Sequence, residues 1–200
     1  MTYPIYIIGT DVLREEGKEL AIEKTPEIEK LIADMFATME VSEGVGLAAP
    51  QIGKSLKLFV VDATGLAEDE PALADFKRVF INAKIVERNG DLVKMNEGCL
   101  SLPGYRDDVW RDDEVRIQYY DENFEFHDET LTGFPARIIQ HEYDHTYGIL
   151  FTDRVPKVKK TLIRNKLKKL SAGKFKADYR TVLGHKKRRE LLLIRNVETS

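Results

Sequence analysis

Two histidines stand four residues apart in the stretch QHEYDH, at residues 140–145, with a glutamate directly after the first. On a helix, positions i and i+4 lie on one face, so His141 and His145 can bind the same cation. Glu142 would lie beside that cation, where a carboxylate can act as general base. The alternative is an amphipathic helix that carries two unrelated histidines. The pattern favours a metal-dependent hydrolase, because the whole chain has only four histidines.

A hydrolytic metal site needs a third protein ligand and a fourth position that stays open for water. Downstream of the pair, the candidates are Asp153 and His185, and neither has a familiar sequence context. Upstream, the only cysteine of the chain is Cys99, within NEGCLSLPG at residues 96–104. A free cysteine is most often a small buried hydrophobe, but polar residues and glycines surround this one. From the residues alone, a thiolate ligand and a core cysteine both stay open.

A third stretch, GVGLAAPQIG at residues 44–53, partly matches the dinucleotide-binding fingerprint. That fingerprint has to follow a strand and open a helix. Here the glycines follow a predicted helix, and the stretch runs into Pro50. We therefore disfavour nucleotide binding.

Taken in order, GVGLAAPQ, EGCLS and QHEYDH resemble the motifs of peptide deformylase. This family removes the formyl group from the N-terminal formylmethionine of new bacterial proteins. The motifs span residues 44–145, and the surrounding similarity extends over most of residues 1–170. The resemblance implies a metal-dependent amidohydrolase that acts on N-formyl-methionyl nascent peptides.

The resemblance also assigns the catalytic groups. It implies one divalent metal per chain, with Fe²⁺ expected and Zn²⁺, Ni²⁺ or Co²⁺ able to replace it, held by Cys99, His141 and His145. Such an ion lowers the pKa of its bound water. Glu142 would take a proton from that water and deliver it to the departing amine. Gln51 and the backbone N–H of Leu100 would donate hydrogen bonds to the developing oxyanion.

By the same resemblance, a pocket receives the methionine side chain. Its expected residues are Val45, Leu100, Phe134, Ile138 and His141, with Arg106 at the rim. Gly46 has no side chain, so an extended substrate could approach its main chain and add as a strand.

Three charged residues are expected to support the metal ligands from behind. Arg111 would pair with Asp144 and so connect the helix that carries His141 and His145 to the loop of Cys99. Glu97 is a second candidate for this supporting role. The sequence departs from the family pattern at Thr146, where leucine is common, and at Pro135, where an aliphatic residue is frequent. Neither departure removes a catalytic group.

Periodicity and turn signals predict the elements that must position these residues. Thr25 and Pro26 predict the start of a helix that ends near Gly44. Thr132 is a candidate cap for the metal helix, which should end at Gly148. Strands are predicted at 57–62, at 78–87 and 91–98 as a hairpin around Asn89–Gly90, and at 114–121 and 124–131 as a second hairpin. A last helix is predicted at 157–171.

Central strands with helices before and after them predict an α+β fold. We expect a single domain, with antiparallel sheets around a central HExxH helix and a C-terminal helix. The catalytic domain should comprise residues 1–171, followed by a basic extension of unknown structure at 172–200.

Length and composition predict a soluble globular protein of 200 residues. No apolar run approaches the roughly 18 residues that a membrane span needs. The first residues show no secretory leader, and a single cysteine excludes an intrachain disulfide. These features suit a cytoplasmic monomer without membrane contact.

Charge is distributed unevenly along the chain. Residues 1–153 hold 15 basic and 31 acidic side chains, whereas residues 154–200 hold 16 and 3. The helix predicted at 157–171 has apolar positions that could pack on the body: Val158, Leu162, Ile163, Leu167 and Leu170. Its lysines could then contact an anionic partner such as the ribosome, or could simply form a solvated face.

Two other functions compete with deformylation. A zinc peptidase that cuts internal amide bonds would use a ligand other than cysteine. A non-enzymatic module bound to ribosome or RNA would carry decayed motifs, which the intact metal and catalytic residues disfavour.

Overall fold

A five-stranded antiparallel sheet forms the centre of the protein, in a computed structural model that describes residues 1–184. The strands of the chain are β1 (Ile5–Tyr6), β2 (Gly46–Ala48), β3 (Leu58–Asp62), β4 (Lys77–Gly98), β5 (Arg106–Tyr120), β6 (Phe126–Thr132) and β7 (Thr181–Val182). The sheet has the order β2-β3-β4-β5-β6, and β1 pairs separately with β7. The helices are α1 (Pro26–Val41), α2 (Gly133–Thr146) and α3 (Lys157–Ser171). The predicted α+β class is confirmed.

Helix α1 begins where the sequence predicts. The Thr25 hydroxyl accepts a hydrogen bond from the N–H of Ile28 at 3.4 Å, and Pro26 occupies the first helical position. The apolar positions Ile32, Met35 and Met39 are buried, as their spacing of three and four residues predicts. The helix ends at Val41, slightly before the predicted stop.

Strand β3 is buried on both faces because two apolar clusters flank it. Leu58 and Val60 pack into one cluster together with the buried face of α1. Phe59 and Val61 point the other way, into a cluster that includes Ile139 of α2. This alternation follows from the period of two along a strand. The buried strand therefore holds α2 on the opposite side of the sheet from α1.

The first predicted hairpin is wrong, since residues 77–98 form the single strand β4. Asn89 lies beside a register shift in the pairing with β5, and Gly90 has a φ of +75°. An Asn-Gly pair supplies the positive φ that a bulge needs just as well as the one that a turn needs. The chain reverses instead between Gly98 and Arg106, which form the last pair of β4 and β5. Cys99 therefore lies in the turn of a long ribbon.

The second predicted hairpin and the last helix are confirmed. Strands β5 and β6 pair from Glu114 opposite Thr132 to Tyr120 opposite Phe126. The apolar stripe of α3 packs only in part. Ile163 and Leu170 are buried, but Val158 and Leu162 are 81% and 76% exposed.

After α3 the chain returns to its own N-terminal strand. Strand β7 pairs in parallel with β1, a short contact that no periodicity in the sequence indicates. The remainder of the basic extension, including the candidate ligand His185, lies outside the described residues. Within residues 1–184, no helix has the length and the apolar character needed to cross a membrane.

Candidate metal centre

Helix α2 carries the two histidines through the interior of the protein. His141, Glu142 and His145 are all buried. Pro135 lies in the first turn of the helix, where its missing N–H costs nothing. The hydroxyl of Thr146 donates to the Tyr143 carbonyl at 2.8 Å, so this buried polar residue is satisfied.

The β4–β5 turn brings Cys99 against this helix. Ligand atoms of Cys99, His141 and His145 all lie within 4.8 Å of one another, and the Cys99 Sγ is 3.2 Å from His145 Nε2. One thiolate and two imidazoles suit a borderline-soft divalent cation and leave a fourth position open. The other candidate, Asp153, instead forms an ion pair with Arg14.

A buried carboxylate orients one of the two imidazoles. The Nδ1 of His141 lies 2.8 Å from Glu97 Oε2, which leaves Nε2 for a cation. Burial by itself would raise the pKa of Glu97, but hydrogen bonds from Arg111 and His141 hold that pKa well below its usual range. The Nη1 of Arg137 donates to the same carboxylate at 2.9 Å. Glu97 is therefore a buried anion with several donors.

The expected pair between Arg111 and Asp144 is present. Arg111 Nη1 lies 2.6 Å from Asp144 Oδ2, while Nε and Nη2 donate to Glu97 at 2.7 and 2.9 Å. Arg154 also donates to Asp144, at 2.5 Å. Arg137 and Arg154 were missed in the sequence. The only signal for Arg137 is an arginine on the apolar stretch of a helix, four residues before His141.

Gln51 points its amide group toward the ligand cluster. It lies in a short 3₁₀ helix, Ala49–Ile52, directly after β2. The N–H of Ala48 donates to Gln51 Oε1 at 2.8 Å, and this contact fixes which end of the amide faces the site. Gln51 Nε2 then lies 3.4 Å from Cys99 Sγ and 3.3 Å from Ser101 Oγ. The Gln51 side chain is thus a hydrogen-bond donor beside the candidate ligands.

Glu142 faces the same space across Gly46. A Cβ placed on Gly46 would lie 2.5 Å from Glu142 Oε1, so the glycine makes room for this carboxylate. Burial raises the pKa of Glu142 to about 7, although the nearby His141 opposes the shift. Glu142 Oε2 is buried and has no hydrogen-bond partner within the described part of the chain. This orphaned oxygen fits a group that handles a proton from water or substrate.

A cavity of about 550 Å³ opens onto these residues. The expected residues that line it are Val45, Gly46, Gln51, Cys99, Leu100, Arg106, Phe134, His141 and Glu142. Ile138 is not among the lining residues but is buried in the apolar cluster on which Phe134 packs. Arg106 is exposed and donates from Nε to the Asn96 side chain at 2.8 Å.

Two tyrosines that the sequence did not single out also line the cavity. Tyr105 stacks on Phe151, whose ring in turn stacks on the His141 imidazole at 5.8 Å. Tyr179 comes from the segment after α3. Burial, with the nearby Cys99, raises the pKa of Tyr179 to about 12, so its hydroxyl stays a hydrogen-bond donor near neutral pH.

Comparisons with known proteins agree on one family. The family model described as polypeptide deformylase matches residues 2–161. The peptide deformylase of Christiangramia forsetii is 44% identical over 187 residues, which cover 90% of this chain and 95% of that protein. The crystal structure of a peptide deformylase from Legionella pneumophila has a TM-score of 0.74 at 36% identity, covering 86% of this chain and 96% of that one.

A class I type b peptide deformylase from Acinetobacter baumannii, solved with Met-Ala-Ser bound, has a TM-score of 0.70 at 32% identity. That match covers 78% of this chain and 99% of the other.

Replacing Arg111 by methionine should be severely destabilising, because the buried carboxylates of Glu97 and Asp144 would lose the cation that they share. We expect a loss of about 3–5 kcal/mol in the free energy of unfolding. The matched control is Arg116→Met, on the same strand but in exposed ion pairs with Glu87 and Asp128. That change should leave stability nearly unaltered. Urea unfolding of both variants, metal-loaded, checks the difference, and equal losses would contradict the account of this ion network.

Proposed function

The chain belongs to the polypeptide deformylase family, and from this membership we propose how its own residues carry out the family's reaction. The reaction hydrolyses the formyl group from the N-terminal formylmethionine of newly made proteins and releases formate. One observation carries the assignment of residues. The three candidate ligands converge within 4.8 Å of one another, and two of them, Cys99 and His141, line a cavity that Glu142 and Gln51 also line.

We propose that Cys99, His141 and His145 hold one divalent cation, and that this cation is Fe²⁺. The family is metal-dependent, and the convergent thiolate and imidazoles supply the ligands. A thiolate with two imidazoles also suits Zn²⁺, so the choice of iron rests on the family's usual metal. When bound, a divalent cation acts as a Lewis acid that polarises the formyl oxygen and acidifies water.

Glu142 is proposed as general base and general acid. Its buried carboxylate lines the cavity beside the candidate ligands, and its Oε2 has no hydrogen-bond partner among residues 1–184. Such a group can take a proton from the attacking water near neutral pH and deliver it to the departing methionine amine. The room that Gly46 leaves allows the carboxylate to stand at the cavity wall.

The developing oxyanion is proposed to bind two donors, the Gln51 side-chain amide and the Leu100 backbone N–H. Support comes from the fixed orientation of Gln51, whose oxygen is occupied by the Ala48 N–H. Donors held in place before the reaction stabilise the transition state without reorganising, and each typically contributes about 3–4 kcal/mol.

The substrate is proposed to enter as an extended strand beside β2, which is an edge of the central sheet. Its methionine side chain would lie between Val45 and Phe134, with Arg106 at the rim and Ile138 shaping the pocket from behind. The bound Met-Ala-Ser in the A. baumannii relative supports a peptide in this cavity. Main-chain pairing selects little among the substrate side chains that follow the methionine, as an enzyme that processes many different chains requires.

Glu142→Gln should keep the metal but abolish most catalysis, because the amide cannot accept the proton. Formate release from formyl-Met-Ala-Ser should fall by about 10²–10⁴-fold. Glu43→Gln is the matched control, since Glu43 lines the cavity but is exposed. It should stay within about twofold of the parent enzyme.

A fully metallated Glu142→Gln variant that keeps activity within tenfold would require another base. Cleavage of an unformylated peptide would instead indicate an internal peptidase. Metal content is measured on the same samples, so that loss of the ion is not mistaken for loss of the base.

We propose that the enzyme acts as a monomer in the cytoplasm, where it meets nascent chains at the ribosome. One chain supplies every proposed ligand and catalytic group. On α3, Lys157, Arg164 and Lys168 are exposed and available for RNA. Lys159, in contrast, is bound to the buried carboxylate of Asp107, and Lys166 lies 4.8 Å from the centre of the Tyr105 ring. Those two lysines are held by contacts within the protein and are poor probes of docking.

Changing Lys157, Arg164 and Lys168 together to glutamate should weaken co-sedimentation with ribosomes at low salt, since RNA attraction depends on counterion release. Hydrolysis of free formyl-Met-Ala-Ser should remain nearly unchanged. The control reverses three exposed lysines elsewhere, Lys18, Lys84 and Lys94, with the same change in net charge. Equal effects of the two triple variants would mean that net charge, and not α3, governs binding.

A further inference from the structure

The wall of the catalytic cavity includes a residue from beyond the family match. The family model ends at residue 161, yet Tyr179 lines the cavity together with Cys99 and Leu100. The segment that follows α3 is therefore part of the site.

Contacts with the N-terminal strand hold this segment in place. The N–H of Ile5 donates to the Arg180 carbonyl at 2.8 Å, and the N–H of Ile7 donates to the Val182 carbonyl at 2.9 Å. At the end of the segment, a Cβ on Gly184 would lie 2.3 Å from the Gly9 carbonyl oxygen. The segment directly after Tyr179 is therefore paired with the N-terminal strand.

Three consecutive carbonyls of the β4–β5 turn each accept a hydrogen bond from a different part of the chain. The Cys99 carbonyl accepts from the N–H of Leu102 at 2.9 Å, within the turn itself. The Leu100 carbonyl accepts from the Tyr179 hydroxyl at 2.8 Å. The Ser101 carbonyl accepts from the N–H of Ile8 at 2.9 Å. Residues near both ends of the described chain thus donate hydrogen bonds to the segment that carries the proposed metal ligand Cys99 and the proposed oxyanion donor Leu100.

We propose that Tyr179 is a positioning residue for deformylation, whose hydroxyl restrains the Leu100 backbone through the Leu100 carbonyl. The inference rests on the proposed role of the Leu100 N–H as oxyanion donor. Without a partner on its carbonyl, the Leu100–Ser101 peptide gains freedom to rotate, which leaves the Leu100 backbone less restrained on that side. On the other side, the Cys99 carbonyl keeps its hydrogen bond from the Leu102 N–H. The N–H of Leu100 would then spend less time aimed at the oxyanion, which lowers the benefit of a donor held in place.

Tyr179→Phe in the full-length enzyme separates this role from simple anchoring, because the ring that packs at the cavity stays. We expect kcat for formyl-Met-Ala-Ser to fall about tenfold, the typical worth of one hydrogen bond, with KM within about twofold. Tyr3→Phe is the control, since Tyr3 lines a separate cavity beside Lys54 and Asp34. It should leave both kinetic constants unchanged.

Nuclear magnetic resonance of the zinc-loaded protein gives a second readout. Loss of the hydrogen bond should shift the ¹⁵N resonances of the Ser101 and Leu100 amides in Tyr179→Phe and not in Tyr3→Phe. A kcat within twofold of the parent overturns the proposal, as does a change in KM alone, which would assign Tyr179 to the substrate wall only. Unshifted Leu100 and Ser101 resonances also overturn it.

Gln51→Ala and Glu142→Gln, assayed alongside, separate failure of this inference from failure of the proposed site. If both variants lose activity while Tyr179→Phe does not, only the positioning role is wrong. If Gln51→Ala and Glu142→Gln also keep their activity, the proposed catalytic site itself is wrong.

Discussion

The site depends on one buried carboxylate, Glu97, and on the cations gathered around it. Glu97 sits near the end of β4, just before the turn of Cys99, and accepts hydrogen bonds from Arg111, Arg137 and His141. Taking such charges out of water costs several kcal/mol per ion, and only close pairing with further hydrogen bonds offsets that cost. The network therefore tolerates few arrangements, and the one observed brings α2 to the Cys99 turn. This ion network fixes the geometry of the site more than it adds to the net free energy of unfolding.

The fold explains why these elements can meet. Strands β4 and β5 form a long ribbon, and the bulge at Gly90 lets the ribbon stay paired to its tip. Helix α2 packs on one face of the sheet through an apolar cluster, so its histidines reach the β4–β5 turn. Strand β2, at the sheet edge, brings Gly46 against Glu142 and leads into the short helix of Gln51. The proposed metal ligands, base and oxyanion donors thus come from three elements that the sheet holds at fixed spacing.

Much of this arrangement follows from local sequence signals. The HExxH spacing, the capped start of α1 and the limits of α3 are each set by residues within one helix, so they could be predicted. The Asn89–Gly90 hairpin could not be distinguished from a bulge, because the same backbone conformation serves both. The ion pairs of Arg137 and Arg154 depend on contacts between distant parts of the chain. The pairing of β1 with β7 and the position of Tyr179 depend on such contacts as well. No pattern within a short window records such contacts, which is why they were found only in the structure.

Cys99, His141 and His145 are proposed to bind one metal ion, and X-ray absorption spectroscopy of the anaerobically purified full-length enzyme can identify that ion and its ligands. We expect an iron edge, with one sulfur and two imidazole nitrogens in the first coordination shell. The Cys99→Ala variant should lose most of its metal, and any residual ion should show no sulfur scatterer. A shell of nitrogen and oxygen alone in the parent enzyme, or a sulfur scatterer that persists in the variant, would contradict the assignment.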